Sequence, residues 1–168
     1  MRAETALNNQ FGDWEEYLGT IEAQADVRVL GVTDYLSITN YSKLKQFKAE
    51  GRIQEIDLLI PNIEFRIAPP TDRATAINIH LLVSPDDPNH EQEITNALAR
   101  LVWEFDDRRY SCVPDQLADL GRAFNDSIRD DIAALQEGVN QFKIDFSGLR
   151  DWYSDEHWLR RNTSGRNY

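Results

Sequence analysis

Apolar residues follow two different periods along this chain, and the two periods predict different elements. Trp14, Leu18 and Ile21 recur near helical spacing behind Asp13, a typical helix N-cap residue, so GDWEEYLGTIEAQA predicts a first helix. The continuous apolar run VRVLGVT (27–33) instead predicts a buried strand, because strands that are covered on both faces are rich in Val, Leu and Ile.

The same two patterns continue to the end of the chain. They predict further strands in IDLLIPNIEFRI (56–67), AINIHLLVS (76–84) and QFKIDFS (141–147). They predict further helices in TNYSKLKQFKAEG (39–51), HEQEITNALARLVW (90–103), PDQLADLGRAF (114–124) and SIRDDIAALQEG (127–138), and a last helix or helical turn in SGLRDWYSDEHWLRR (147–161). Pro61 is expected to divide the first of these strands by a bend, and Gly51 and Gly138 to end their helices.

The order of these elements predicts a single α/β domain spanning residues 1–168, with a mostly parallel sheet covered by helices. The polar segment 68–76 has the composition of a hairpin-type loop, and residues 162–168 are expected to form a frayed tail.

Charge and cysteine content exclude several classes of function. The formal net charge of -11 opposes a broad grip on nucleic acid or anionic lipid, so nucleic acid is expected only through a partner or a local basic patch. Cys112 is the only cysteine, which rules out an intrachain disulfide and a Cys-based zinc site. No signal-like or membrane-spanning apolar stretch is present, and we expect a cytoplasmic protein.

Common catalytic motifs are missing. The chain has no GxxxxGK[ST] or GxGxxG loop for nucleotide phosphates and no GxSxG nucleophile elbow. Covalent catalysis and nucleotide binding of those types therefore have little support.

Three polar residues interrupt apolar runs and are the candidates for a site: Asp34, Glu64 and His80. Two carboxylates and an imidazole together suit Mn, Zn or Fe. Each residue also has a structural interpretation, which is the stronger one when it is taken singly. Asp34 would cap the following helix, Glu64 would pair with Arg66 or Arg28, and His80 would be a core histidine bonded to a backbone carbonyl.

The succession of these segments resembles the PHP (polymerase and histidinol phosphatase) superfamily. VLGVTDYLSITNYSKL is similar to its second motif, LLIPNIEFRI to its third motif, and INIHLLV to the following histidine strand. The Thr-Asp-Tyr variant and the later stretch ALQEGVNQFKI are closer still to the PHP-like N-terminal region of TrlF-type bacterial ATPase fusion proteins, some of which are linked to phage defence. The resemblance covers most of the chain, from Val27 to Phe146.

The resemblance implies a partial or distorted PHP-type barrel and a metal-dependent phosphoesterase. Glu64 would bridge metal ions, His80 would be a metal ligand, and Asp34 would orient them; Asp34 and Glu64 would be the catalytic carboxylates, and Asp34 is also counted among the metal ligands. The implied cofactor is Mn, Zn or Fe, which activates water for phosphoester hydrolysis.

The sequence departs from the family pattern at several ligand positions. No histidine precedes Trp14 to form the HxH strand, Tyr35 stands where the second motif usually has histidine, and the late histidine motifs are absent. Three interpretations stay open: a fragment of a longer protein, a degenerate domain kept for assembly, or a domain that binds one metal ion weakly. We favour a degenerate phosphoesterase domain that acts with an ATPase or nuclease partner in a bacterial defence-type system. The alternative is a noncatalytic interaction module that docks a protein partner or self-associates.

Overall fold

The computed structural model describes residues 13–24, 26–67 and 77–163. These ranges form seven helices and five strands. The helices are α1 (Trp14–Glu22), α2 (Thr39–Ala49), α3 (His90–Arg100), α4 (Pro114–Phe124), α5 (Asp131–Gln141), α6 (Phe146–Asp155) and α7 (His157–Asn162). The strands are β1 (Val29–Tyr35), β2 (Leu58–Ile67), β3 (Ile77–Leu82), β4 (Val102–Phe105) and β5 (Arg108–Ser111).

The architecture is mixed α/β, in agreement with the predicted class, but the main sheet is not mostly parallel. Its strand order is β1-β2-β3, with β1 parallel and β3 antiparallel to β2. Only residues 68–76 separate β2 from β3, and a parallel crossover needs about a dozen residues or more, so an antiparallel return is the one available. The predicted loop itself lies outside the described residues. Within the described ranges the strands form no closed barrel.

Side chains alternate between two very different faces of this sheet. One face is buried: Val32 of β1 and Ile63 and Phe65 of β2 belong to the core, and the Phe65 ring lies 5.7 Å from that of Trp152 in α6. We call the opposite side the open face. It carries Val29, Gly31, Thr33 and Tyr35 of β1, Leu58, Ile60, Asn62, Glu64 and Arg66 of β2, and Asn78, His80 and Leu82 of β3.

Pro61 does not divide its strand, contrary to the prediction. β2 is continuous over ten residues, and the Pro61 carbonyl accepts a hydrogen bond of 3.1 Å from the Val83 N–H. The register places Pro61 one position beyond the last residue pair of β3, Asn62 with Leu82. The missing N–H therefore falls where the ladder to β3 ends, which is a position that tolerates proline.

A β-hairpin replaces the end of a predicted helix. Helix α3 ends at Arg100, and Val102 and Trp103 belong to β4, which pairs with β5. Asp106 and Asp107 form the two-residue turn with φ of 51° and 60°. Positive φ at both central residues is the hairpin geometry that Asp tolerates, so the Asp-Asp pair between alternating residues was the signal for this hairpin.

Gly138 does not end α5, which runs on to Gln141. A Cβ on Gly138 would overlap the Leu117 carbonyl of α4, and a Cβ on Gly121 would overlap the Ala134 carbonyl of α5. The two glycines therefore let α4 and α5 pack backbone to backbone. Gly51 ends α2 as predicted, with φ of 97° directly after the C-cap residue.

The C-terminal region is more divided than the sequence pattern indicates. The predicted strand 141–147 reduces to one bridge between Ile144 and Ile67, and the predicted last helix is interrupted at Glu156. In the predicted tail, Asn162 accepts a hydrogen bond from the Ser84 N–H, and Thr163 is buried opposite Val83. Residues 164–168 lie outside the described ranges. No helix in the described part is long and apolar enough to cross a membrane.

Candidate functional site

Asp34 lies on the buried face of the sheet and caps a helix. It is 4% exposed, and its Oδ2 accepts hydrogen bonds from the backbone N–H groups of Asn40 (2.9 Å) and Tyr41 (3.2 Å) in the first turn of α2. The N-cap position of α2 is Ile38, whose side chain has no group that could accept these bonds. Asp34, near the end of β1, therefore takes the place of an N-cap side chain for α2, as its structural interpretation predicted.

Burial controls the ionisation of Asp34. Removal of the carboxyl group from water raises its pKa from the ordinary 3.8 to about 6, although the two backbone hydrogen bonds oppose this rise. A carboxyl group with such a pKa is often catalytic, but here its acceptor oxygen is occupied by α2.

Glu64 and His80 lie on the open face and stand directly opposite each other in the register of β2 and β3. Glu64 Oε1 is 3.6 Å from Arg66 Nε, so the predicted Glu64–Arg66 pair is present. His80 is exposed rather than a core histidine, and its Nδ1 is 3.3 Å from Asn62 Oδ1. The structure thus brings these two candidates together.

The predicted convergence of all three candidates is wrong for Asp34. In the register of β1 and β2, Asp34 pairs with Ile63, whereas Glu64 pairs with Tyr35. Successive side chains of a strand point to opposite faces, so an offset of one residue puts Asp34 on the other side of the sheet from Glu64 and His80.

Of the predicted metal ligands, Glu64 and His80 lie on the same face of the sheet and Asp34 does not. Glu64 and His80 supply two ligands, whereas zinc sites in proteins use three or four protein ligands. No group of three or more His, Cys, Asp or Glu side chains in the described part of the chain could hold a metal ion. The cation of Arg66, whose Nε is 3.6 Å from Glu64 Oε1, opposes metal binding at this position.

Two other groups with chemical potential have structural roles. His90 is buried, with Nε2 2.7 Å from the Tyr41 hydroxyl and Nδ1 2.6 Å from the Asp87 carbonyl, so it ties α3 to α2. Cys112 is buried, and burial raises its pKa to about 12. Its thiol is therefore not a nucleophile at neutral pH, in keeping with the lack of support for covalent catalysis.

The apolar part of the open face was not anticipated. Val29, Leu58 and Leu82 are 54%, 39% and 42% exposed on this side of the sheet. Arg66 lies over the Tyr35 ring with its guanidinium carbon 5.1 Å from the centroid. The apolar run VRVLGVT predicts a strand covered on both faces, whereas the described residues cover one face of β1. No family model and no curated protein sequence matches this chain, so the PHP resemblance continues to rest on the quoted motifs alone.

Proposed function

We propose that this chain is a degenerate PHP-like domain that acts as a protein–protein interaction module and docks through the open face of its sheet. The observation that supports this most directly is the exposure of Val29, Leu58 and Leu82 on one sheet face. Large apolar side chains gathered on one exposed face are typical of interaction surfaces.

The placement of the candidate catalytic residues favours assembly over hydrolysis. Asp34 caps α2 from the buried face, and Glu64 pairs with Arg66. Each carboxylate thus has a structural partner, and the two are separated by the sheet.

The occupant that we assign to the open face is a second copy of the chain. Although the chain carries a formal charge of -11, the charged side chains of the open face are Glu64 and Arg66, which balance each other when His80 is neutral. Two copies that meet through this face avoid most of the repulsion between their acidic surfaces. A basic partner, by contrast, would find no excess negative charge on this face.

Sedimentation velocity over a range of protein concentrations tests this assignment. We expect a reversible dimer that is lost in Leu58→Glu and Val29→Glu. The matched control is Ile132→Glu on α5, because Ile132 is 54% exposed, as is Val29, but lies away from the sheet. A monomer at all concentrations, or equal loss of the dimer in the control, would refute the assignment of this face to a second copy.

A metal-dependent phosphoesterase is the competing proposal, and the adjacency of Glu64 and His80 favours it. Metal content of the purified protein and phosphomonoesterase and phosphodiesterase assays with added manganese distinguish the two. If the enzyme proposal holds, Glu64→Gln combined with His80→Ala abolishes metal binding and turnover while the fold survives. If the wild type and the double variant are both free of metal and both inactive, the enzyme proposal is refuted.

The resemblance also carries finer proposals. We propose a partial or distorted barrel, an ATPase or nuclease component of a bacterial defence-type system as a further partner, and a cytoplasmic location. Co-purification of the chain with a co-expressed ATPase or nuclease of this kind tests the second of these proposals.

A further inference from the structure

Gly31 leaves a gap in the middle of β1 on the open face. It lies between Val29 and Thr33 along the strand and stands opposite Ile60 of β2. The side chains of these three neighbours point to the same side of the sheet, because residues two apart on a strand and residues paired across it share a face. The missing side chain of Gly31 therefore leaves a depression, which we call the Gly31 gap, with two apolar neighbours on its sides.

Nothing in the described part of the chain requires glycine at this position. A Cβ built on Gly31 meets no heavy atom within 4 Å beyond its chain neighbours, and its φ does not lie in the left-handed region that favours glycine. The register of β1 with β2 is unbroken from Val29 to Tyr35, which excludes a bulge. Glycine inside a strand costs stability, and where it marks no bulge or bend it marks a place of close approach. The molecule that approaches Gly31 is then one outside the described chain.

Leu58 is the side chain of the open face that can fill this gap from a second copy. It is 39% exposed and pairs with Val29, two residues along the strands from the pair of Gly31 and Ile60. Because neighbouring strands lie about 4.8 Å apart and two residues span about 6.6 Å, Leu58 and Gly31 of one copy are about 8 Å apart. A twofold axis between two facing sheets, midway between these residues, places Leu58 of each copy over Gly31 of the other.

We propose that two copies of the chain dock with Leu58 of each copy in the Gly31 gap of the other. The inference rests on the proposed self-association, to which it adds the contact that fixes how the two open faces fit. Side chains of facing sheets interdigitate across about 10 Å, and a large side chain packs best opposite a small one. The contact forms twice in a twofold dimer, so it covers both exposed leucines.

Gly31→Val in the full chain separates the stability of the monomer from its self-association. Valine favours strands and its Cβ meets open space, so the midpoint of urea unfolding, measured at a dilution where the protein is monomeric, should equal or exceed that of the wild type. Valine also fills the gap from within, so the dimer dissociation constant from sedimentation velocity should rise by about tenfold or more. The matched control is Gly19→Ala, whose Cβ also meets open space but lies in α1, and it should leave that constant unchanged.

Leu58→Ala identifies the side chain that fills the gap. Alone it should weaken the dimer, because the gap stays empty, and combined with Gly31→Val it should give a tighter dimer than Gly31→Val alone, because the smaller side chain relieves the overlap.

The possible failures are distinguishable. A wild type that stays monomeric refutes the proposed self-association and this contact with it, whereas a wild-type dimer that Gly31→Val leaves intact overturns this contact alone. A lower unfolding midpoint of monomeric Gly31→Val would mean that the chain itself covers Gly31. A lost dimer that Leu58→Ala does not relieve would assign the gap to another side chain. Either of these last two results also overturns the proposal.

Discussion

Replacing Asp34 by Asn should change how the stability of the protein depends on pH. The carboxyl group has a pKa of about 6 in the folded protein, raised chiefly by burial, against an ordinary value of 3.8. Because the folded-state pKa is the higher one, the folded protein binds the proton more tightly than the unfolded chain. The contribution of this group therefore destabilises the fold as pH rises through the interval between the two values.

The size of the effect follows from the shift. A difference of about two pKa units corresponds to about 3 kcal/mol once both states are ionised. Between about pH 4.5 and pH 7.5, the free energy of unfolding of the wild type should fall by about 2 kcal/mol relative to that of Asp34→Asn. The asparagine amide oxygen can still accept from the Asn40 and Tyr41 N–H groups, so the cap of α2 is kept.

Urea unfolding at a series of pH values measures this difference directly. Asp130→Asn is the matched control, since Asp130 caps α5 by accepting from the Ala133 N–H at 2.8 Å but is exposed to solvent. The control is expected to follow the wild-type curve. Parallel curves for the wild type and Asp34→Asn would show that burial of this carboxylate carries no energetic cost, and the reasoning would fail.

Two further substitutions test the packing and ion pairs of the fold. Gly138→Ala should lower the free energy of unfolding by about 2–3 kcal/mol in urea, because the new Cβ meets backbone atoms of α4 that cannot move aside. Gly19→Ala, in α1 where nothing lies within 4 Å of the new Cβ, should raise it by about 0.5–1 kcal/mol. Equal effects of the two substitutions would contradict the close approach of α4 and α5. Arg100→Ala should cost about 2 kcal/mol, because Arg100 contacts the buried Glu156 carboxylate at 2.7 Å through two nitrogens. Arg150→Ala, which breaks an exposed pair, should change thermal stability little, and a similarly small effect for Arg100 would contradict the role of the buried pair.

The elements that local sequence determines were predicted well. Asp13 accepts from the Glu16 N–H and begins α1, Pro114 begins α4, and Gly51 ends α2, as expected. These signals act within one turn of chain, so they hold regardless of what packs around them. Gly138 is also a glycine, but it has another role than Gly51. It contacts the backbone of α4, a separate helix, and does not end its own helix.

The elements that depend on tertiary contacts were predicted less well. Leu101, Val102 and Trp103 continue the apolar pattern of α3, yet the chain turns into β4 because the hairpin gives these residues a partner strand. Pro61 is tolerated in β2 because the ladder to β3 ends beside it, so its missing N–H interrupts no further pairing. The sequence of β4 alone does not show that β5 will pair with it, and the sequence of β2 alone does not show that β3 will end beside Pro61. Both facts depend on other segments of the chain and on the strand register.

The candidate site failed for a related reason, and a double-mutant cycle shows whether the explanation holds. Asp34 and Glu64 both interrupt apolar runs, but the register of β1 and β2 puts them one position out of phase and so on opposite faces. They share no hydrogen-bond partner, so the free-energy effects of Asp34→Asn and Glu64→Gln should add within about 0.5 kcal/mol. The same additivity is expected with manganese present, because one ion cannot contact both carboxylates through the sheet. A coupling energy above about 1 kcal/mol that requires manganese would mean that the two carboxylates share an ion and that this register is wrong.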